Sequence, residues 1–140
     1  MGRLGVTAVA ILLDTNVVLC LATEPERIAP DVLDQLAAPS TELVVSAASA
    51  WEVAIKTRAG KLPGGEALLS VWEENLVNIR AQTIDIAAAD AIMAAALPWP
   101  HRDPFDRMLV AQAARRGLML ASSDPTVLAG AMSSTLDTRR

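Results

Sequence analysis

The sequence predicts an α/β fold, with a mainly parallel central sheet of about four to five strands and helices on both faces. Short, almost purely apolar runs alternate along the chain with longer stretches of helical character. Two of these runs end in a carboxylate, and parallel strands of an open sheet present their functional residues at such an edge. The apolar residues make up 52% of the chain and are mostly Ala, Leu, Val and Ile, while aromatics reach only 3%. That composition suits helices lying close against a sheet through small side chains.

The first element is the run Val9-Ala10-Ile11-Leu12-Leu13, a buried parallel strand that delivers Asp14 at its C-terminal end. A short helix follows over 17–22, and Pro30 opens a second one that runs to residue 36. Residues 42–45 form another strand. Ser46 then caps a helix over 47–58, which carries Glu52 and is ended by Gly60. Pro63-Gly64-Gly65 breaks the chain before a helix over 66–76, and residues 78–84 alternate as a strand. An Ala-rich helix begins at Asp85 and runs to residue 96.

Pro98 and Pro100 make 97–103 a loop, and Pro104 starts a helix that carries Asp106 in its first turn and stops at Gly117. Residues 118–121 are a further buried strand, closed by Ser122-Ser123-Asp124-Pro125. At 140 residues the chain fits one domain, 1–132, with a polar tail, 133–140, expected to fray.

The net charge of −4 and the pI of about 4.9 give no basic footprint for nucleic acid. An enzyme that gathers carboxylates around a divalent cation escapes that argument, because the cation becomes the largest local positive charge. The single cysteine, Cys20, cannot form an internal disulfide and reads as a small buried hydrophobe in a reducing compartment. The apolar stretch from Leu4 to Leu13 follows Arg3 as a leader would, but Asp14 and Asn16 interrupt it, and it is too short to span a membrane. A cytoplasmic protein without a membrane partner is the expectation.

The acids supply the chemistry. Asp14 and Asp124 stand at strand ends that a parallel sheet brings to one edge, and Glu52 and Asp106 lie nearest the entrances of helices flanking that edge. Clustered carboxylates raise one another's pKa and oppose folding unless a cation relieves them. Mg²⁺ takes a few carboxylates plus water, and phosphoryl transfer uses such a cation to activate water and neutralise charge. Each acid also has an ordinary reading: Asp14 as a strand terminator, Asp106 as a complement to a helix dipole, Asp124 with Pro125 as a turn or cap.

The local strings go beyond acidity. Leu12-Leu13-Asp14-Thr15-Asn16, the helix from Ser46 through Trp51-Glu52 to Lys56, the stretch His101-Arg102-Asp103-Pro104-Phe105-Asp106-Arg107, and Ser122-Ser123-Asp124 together resemble PIN-domain proteins. They look most like the VapC-type toxins of bacterial toxin–antitoxin pairs. The likeness spans residues 11 to 130 and rests on all four pieces occurring in this order. It implies a PIN-like three-layer sandwich and Mg²⁺- or Mn²⁺-dependent endoribonuclease activity, with Asp14, Glu52, Asp106 and Asp124 as the catalytic, metal-holding set. It implies further an RNA substrate, a cognate antitoxin whose basic side chain enters the carboxylates, and a homodimer. Asn16 and Ser123 are candidates to hydrogen-bond the ligands.

Asp103 precedes Asp106 by three residues and so can share a metal with it, although Pro104 favours an N-cap. Arg102 and Arg107 are candidate RNA-phosphate contacts, and Arg107 can instead pair with Asp103. His101, the only histidine, reads as a packing residue more readily than as a base. Trp51 reads as a helix-interface residue, and Lys56, Arg58 and Lys61 as a solvated basic face. Two rival functions remain: a phosphatase of the haloacid-dehalogenase type, which expects a second Asp where Asn16 stands, and a PIN-fold module that binds without catalysis.

Overall fold

A computed structural model describes residues 9–140. Residues 1–8, where the apolar run weighed above as a leader begins, lie outside the described residues. Five strands, β1 (Val9–Leu13), β2 (Thr41–Ser46), β3 (Ala81–Ile84), β4 (Met119–Ser122) and β5 (Thr135–Asp137), form one sheet in the order β3-β2-β1-β4-β5. Every pairing is parallel, with Leu12 opposite both Val44 and Leu120. All strands therefore point the same way, and their C-terminal ends share one edge.

Among the described residues there are eight α-helices: α1 (Thr15–Thr23), α2 (Pro30–Ala37), α3 (Ala47–Arg58), α4 (Gly65–Ser70), α5 (Trp72–Asn78), α6 (Ala88–Ala96), α7 (Pro104–Arg116) and α8 (Pro125–Gly130). The alternation of β1 divides the core in two. Ile11 and Leu13 pack with α1, α2 and α5 through Val17, Val32, Leu36 and Leu76, whereas Leu12, Val44 and Leu120 pack on the other face with Ala94, Leu109, Val110 and Val127. Both faces are covered, which is why β1 reads as a continuous apolar run. Among the described residues no helix is long and apolar enough to cross a membrane.

On the second face a buried ion cluster pins α6 to α7. Asp90 is fully buried, accepts from Ala87 N and Gln112 Nε2, and pairs with Arg115 and with Arg116 Nη2 at 2.8 Å. These bonds to its charged form hold its carboxyl well below the usual range despite burial.

The structure departs from the sequence reading in four places. The helix expected over 66–76 is two short helices that meet at Val71, whose φ of −126° is not helical. The strand expected from residue 78 begins only at Ala81, because 78–80 close α5 and Arg80 turns the chain with φ 62°. Cys20 is only partly buried. Residues 135–137 of the supposedly frayed tail form β5, and Thr138 is buried, donating its N–H to Ser122 and accepting from Ala29 N.

Candidate metal centre

Four segments meet at the C-terminal edge of the sheet. β1 ends in Asp14, whose N–H still bonds Ala121 of β4 at 2.9 Å. Its Oδ1 caps α1 by accepting from Thr15 N at 2.8 Å, and its Oδ2 accepts from Ser122 Oγ at 2.6 Å. Both oxygens are engaged and the residue is 4% exposed. Burial pushes the Asp14 carboxyl up, Glu52 and Asp124 add like-charge repulsion, and the two hydrogen bonds hold it down.

Glu52 reaches the edge from α3, which starts at the Ser46 cap directly after β2. A hydroxyl contact of 2.9 Å between Thr15 and Ser49 fixes α3 against α1. The Glu52 side chain is buried, with Oε2 accepting from Lys56 Nζ at 2.6 Å one turn along the helix. Its Oε1 is buried without a partner among the described residues. An orphaned carboxylate oxygen is costly there unless something cationic faces it.

Asp106 enters from the first turn of α7, which Asp103 caps by accepting from Phe105 N and Asp106 N at 2.8 and 3.1 Å. His101 Nε2 lies 2.7 Å from Asp106 Oδ2. Burial raises the Asp106 carboxyl to about 6 against the His101 hydrogen bond, which lowers it, and repulsion from Asp103 and Asp14 adds to the rise. The imidazole is tilted on Trp99 at 4.7 Å, and Trp99 lies so close over Gly130 that a Cβ there would sit 2.3 Å from the ring. Asp124 completes the edge after β4, capping α8 by accepting from Thr126 N at 2.9 Å.

The sequence reading needs two corrections here. Arg107 neither faces solvent for RNA nor pairs with Asp103: its guanidinium donates to five backbone carbonyls, those of Ala94, Ala95, Leu97, Trp99 and His101, and so fastens the Pro-rich loop. Ser122, not Ser123, hydrogen-bonds Asp14, while Asn16 and Ser123 line an adjoining cleft and make no side-chain bond to the acids. Trp51 is the helix-interface residue expected, meeting Phe105 of α7 edge-on at 5.2 Å although it stays 59% exposed. Asp103 is the expected cap, and Arg102 is exposed beside Trp51 and Phe105.

Ser122, His101 and Lys56 are the contributors that sequence reasoning missed or set aside. Lys56 had a readable signal, its i,i+4 spacing from Glu52. Its ammonium is held protonated chiefly by the hydrogen bond to Glu52, with smaller help from the charges of Asp103 and Asp106.

One group of three, His101, Asp103 and Asp106, has ligand atoms within 4.8 Å of one another and can hold a metal ion. The wider arrangement also fits a hard cation: the donors are mainly carboxylate oxygens, Glu52 Oε1 lacks a partner, and Asp14 and Asp106 resist ionising while each faces other acids.

No curated protein sequence matches the chain. Its fold is similar to that of VapBC2 from Rickettsia felis, solved bound to a DNA fragment from the promoter, with TM-score 0.68 and 15% identity over 92% of this chain and 98% of that one. DNA-bound VapBC from Salmonella typhimurium gives 0.66 and 20%, again over 92% and 98%. FitAcB from Neisseria gonorrhoeae gives 0.60 and 20%, over 91% and 96%. At these identities the likeness concerns the fold. The PIN domain family model matches residues 11–129, which takes in the whole span from β1 through α8 apart from its ends, and the chain belongs to the PIN domain family.

Proposed function

We propose that the protein is a metal-dependent endoribonuclease, the toxin of a toxin–antitoxin pair, that hydrolyses RNA phosphodiester bonds. The observation that carries this reading is the convergence on one sheet edge of Asp14, Glu52, Asp106 and Asp124, with Asp14 repelled by Glu52 and Asp124 and Asp106 repelled by Asp14. Asp14 and Asp106 hold Mg²⁺ or Mn²⁺ directly; Glu52 and Asp124 complete the set or act through water. When bound, such a cation lowers the pKa of water and neutralises charge on the phosphate.

The remaining chemistry belongs to the chain's own side chains. Ser122 orients Asp14, His101 fixes one oxygen of Asp106, and Lys56 holds Glu52 while keeping an ammonium beside the acids. Asn16 stands where a haloacid-dehalogenase phosphatase would need its second Asp, and the family match accounts for the strand-then-Asp pattern without that activity.

The antitoxin has a matching surface. A groove of about 680 Å³ runs between α1 and the start of α4, with Leu19, Cys20, Pro63, Leu68 and Val71 in its walls and Asn16 and Ser123 at its end nearest the acids. The relatives are solved as VapBC and FitAcB assemblies, and a partner segment in this groove can place a basic side chain at the carboxylates. Trp51 and Ile55 on α3 and Ile92 on α6 are exposed apolar side chains that a second copy would cover.

Incubation of structured and single-stranded RNA with the purified chain in Mg²⁺, Mn²⁺ or EDTA, beside an Asp14→Asn, Asp106→Asn double variant, tests the proposal. Metal-dependent cleavage absent from a folded variant supports it. Equal cleavage by both proteins, or none by wild type across a broad RNA panel, contradicts it and favours a non-catalytic module.

A further inference from the structure

The net charge leaves unexplained how an acidic protein holds a polyanion. Locally the balance is different. β5, which the sequence alone did not reveal, brings the chain back along β4 so that residues 138–140 emerge at the same sheet edge as Asp14 and Asp124. Thr138 is anchored there by its bonds to Ser122 and Ala29. Beyond it, Arg139 and Arg140 join Arg27 around a cleft of about 300 Å³ whose other polar walls include Asn16 and Ser123. Those last two residues adjoin the acids Asp14 and Asp124 in sequence. The cleft thus lies against the two chain segments that carry Asp14 and Asp124.

We infer that Arg27, Arg139 and Arg140 form a phosphate-binding subsite that grips the RNA backbone beside the scissile bond. The inference rests on the ribonuclease reading and adds to it the place where the substrate strand is held. All three side chains are accessible: Arg27 and Arg139 are more than half exposed, and Arg140 is exposed. Their present partners all lie on the protein surface. Arg27 sits 3.7 Å from Glu24, Arg139 pairs with Asp137 only two residues away, and Arg140 Nη1 donates to the Glu26 carbonyl at 2.7 Å. A phosphodiester offers a guanidinium the same bidentate acceptor geometry that the Asp137 carboxylate now gives Arg139, so RNA exchanges one oxyanion partner for another. The Arg140 bond to Glu26 also ties residue 140 to the Arg27 segment, which keeps the three cations on one cleft.

The test is binding of a short fluorescein-labelled single-stranded RNA in EDTA, followed by anisotropy over a range of salt. In the intact chain carrying Arg27→Gln, Arg139→Gln and Arg140→Gln, affinity falls at least about tenfold at low salt. The slope of log K against log[salt] shrinks by about 2, since each phosphate contact on a single strand contributes about 0.7. Arg139→Lys with Arg140→Lys keeps most of the salt slope. Arg80→Asn, which removes a positive charge at the opposite edge of the sheet, leaves binding unchanged. If the triple variant loses its fold, Arg140→Glu alone still reports, because that side chain bonds only a backbone carbonyl.

Unchanged affinity and slope in the glutamine variants would overturn the inference and leave the arginines to a protein surface. The ribonuclease reading is judged separately, by cleavage in metal. A wild type that binds RNA through these arginines without cleaving it would sink that reading and keep the subsite.

Discussion

Ser122 Oγ donates to Asp14 Oδ2 at 2.6 Å, and the same oxygen accepts the Asp124 N–H at 3.0 Å. One buried hydroxyl at the end of β4 therefore sets the positions of two acids from different strands. Ser122→Ala leaves Asp14 buried with one bond fewer, and loss of a bond to a charged group costs about 1.5–3 kcal/mol. The expected outcome is a lower melting temperature together with a ~10–100-fold weaker metal dependence of cleavage. Ser123→Ala, one residue on, changes neither. Equal effects of the two substitutions would show that the hydroxyl has no special role.

Metal-free protein should become more stable as the solution is acidified from about pH 7.5 to about pH 5. The sign follows from Asp106 and Asp14, whose carboxyls are raised in the folded state. A carboxyl with a raised pKa binds its proton more tightly when folded, so its ionisation destabilises the fold above about 6, and protonation removes that cost as pH falls toward the unfolded value. For Asp106 the full effect is about 3 kcal/mol at most. Thermal melts in EDTA of wild type and Asp106→Asn check this, since the variant should be more stable at neutral pH and lose much of the dependence.

At lower pH the opposite behaviour should appear. Asp90 has a depressed carboxyl pKa, so the stability it contributes is present above the ordinary carboxylate range and disappears as pH drops below it. Asp90→Ala removes the buried anion from between Arg115 and Arg116 and should cost about 3 kcal/mol, the range for breaking a buried pair. Cleavage per folded molecule should survive, because this cluster bonds none of Asp14, Glu52, Asp106 and Asp124 among the described residues. Denaturant unfolding and specific activity separate the two quantities.

Gly130 is a third test of how the edge is held. An Ala Cβ at this position meets the Trp99 ring, which must move and carry with it the imidazole stacked against it. Gly130→Ala should destabilise by about 1–3 kcal/mol. It should also loosen the His101 contact to Asp106, seen as a shift of the histidine ring resonances by NMR. A variant with unshifted resonances would uncouple Trp99 from the site.

The fold was legible where local and long-range signals agree. β1, β2 and β4 are apolar runs because both faces of the sheet are covered, and the caps Ser46 and Asp103 follow from local chemistry. β5 was invisible because three residues with one half-buried Leu136 carry no pattern, and the strand exists through its pairing to β4. The choice of Ser122 over Ser123 depends on which strand face meets Asp14, and a one-residue step reverses that face. Arg107 misled for a related reason: five carbonyls left exposed by the Pro-rich loop and the end of α6 are a tertiary demand, and nothing in the spacing to Asp103 announces them. The acids themselves stood out because strand ends and helix entrances were already located.

The claim that carboxylates from four segments hold one divalent site is tested most directly by calorimetric titration of Mn²⁺ into the metal-free protein and into the folded Asp14→Asn and Glu52→Gln variants. The account predicts saturable binding by wild type that releases protons near neutral pH, and loss of about tenfold or more in affinity in each variant. Binding of equal strength in both variants, or none in wild type, would contradict it.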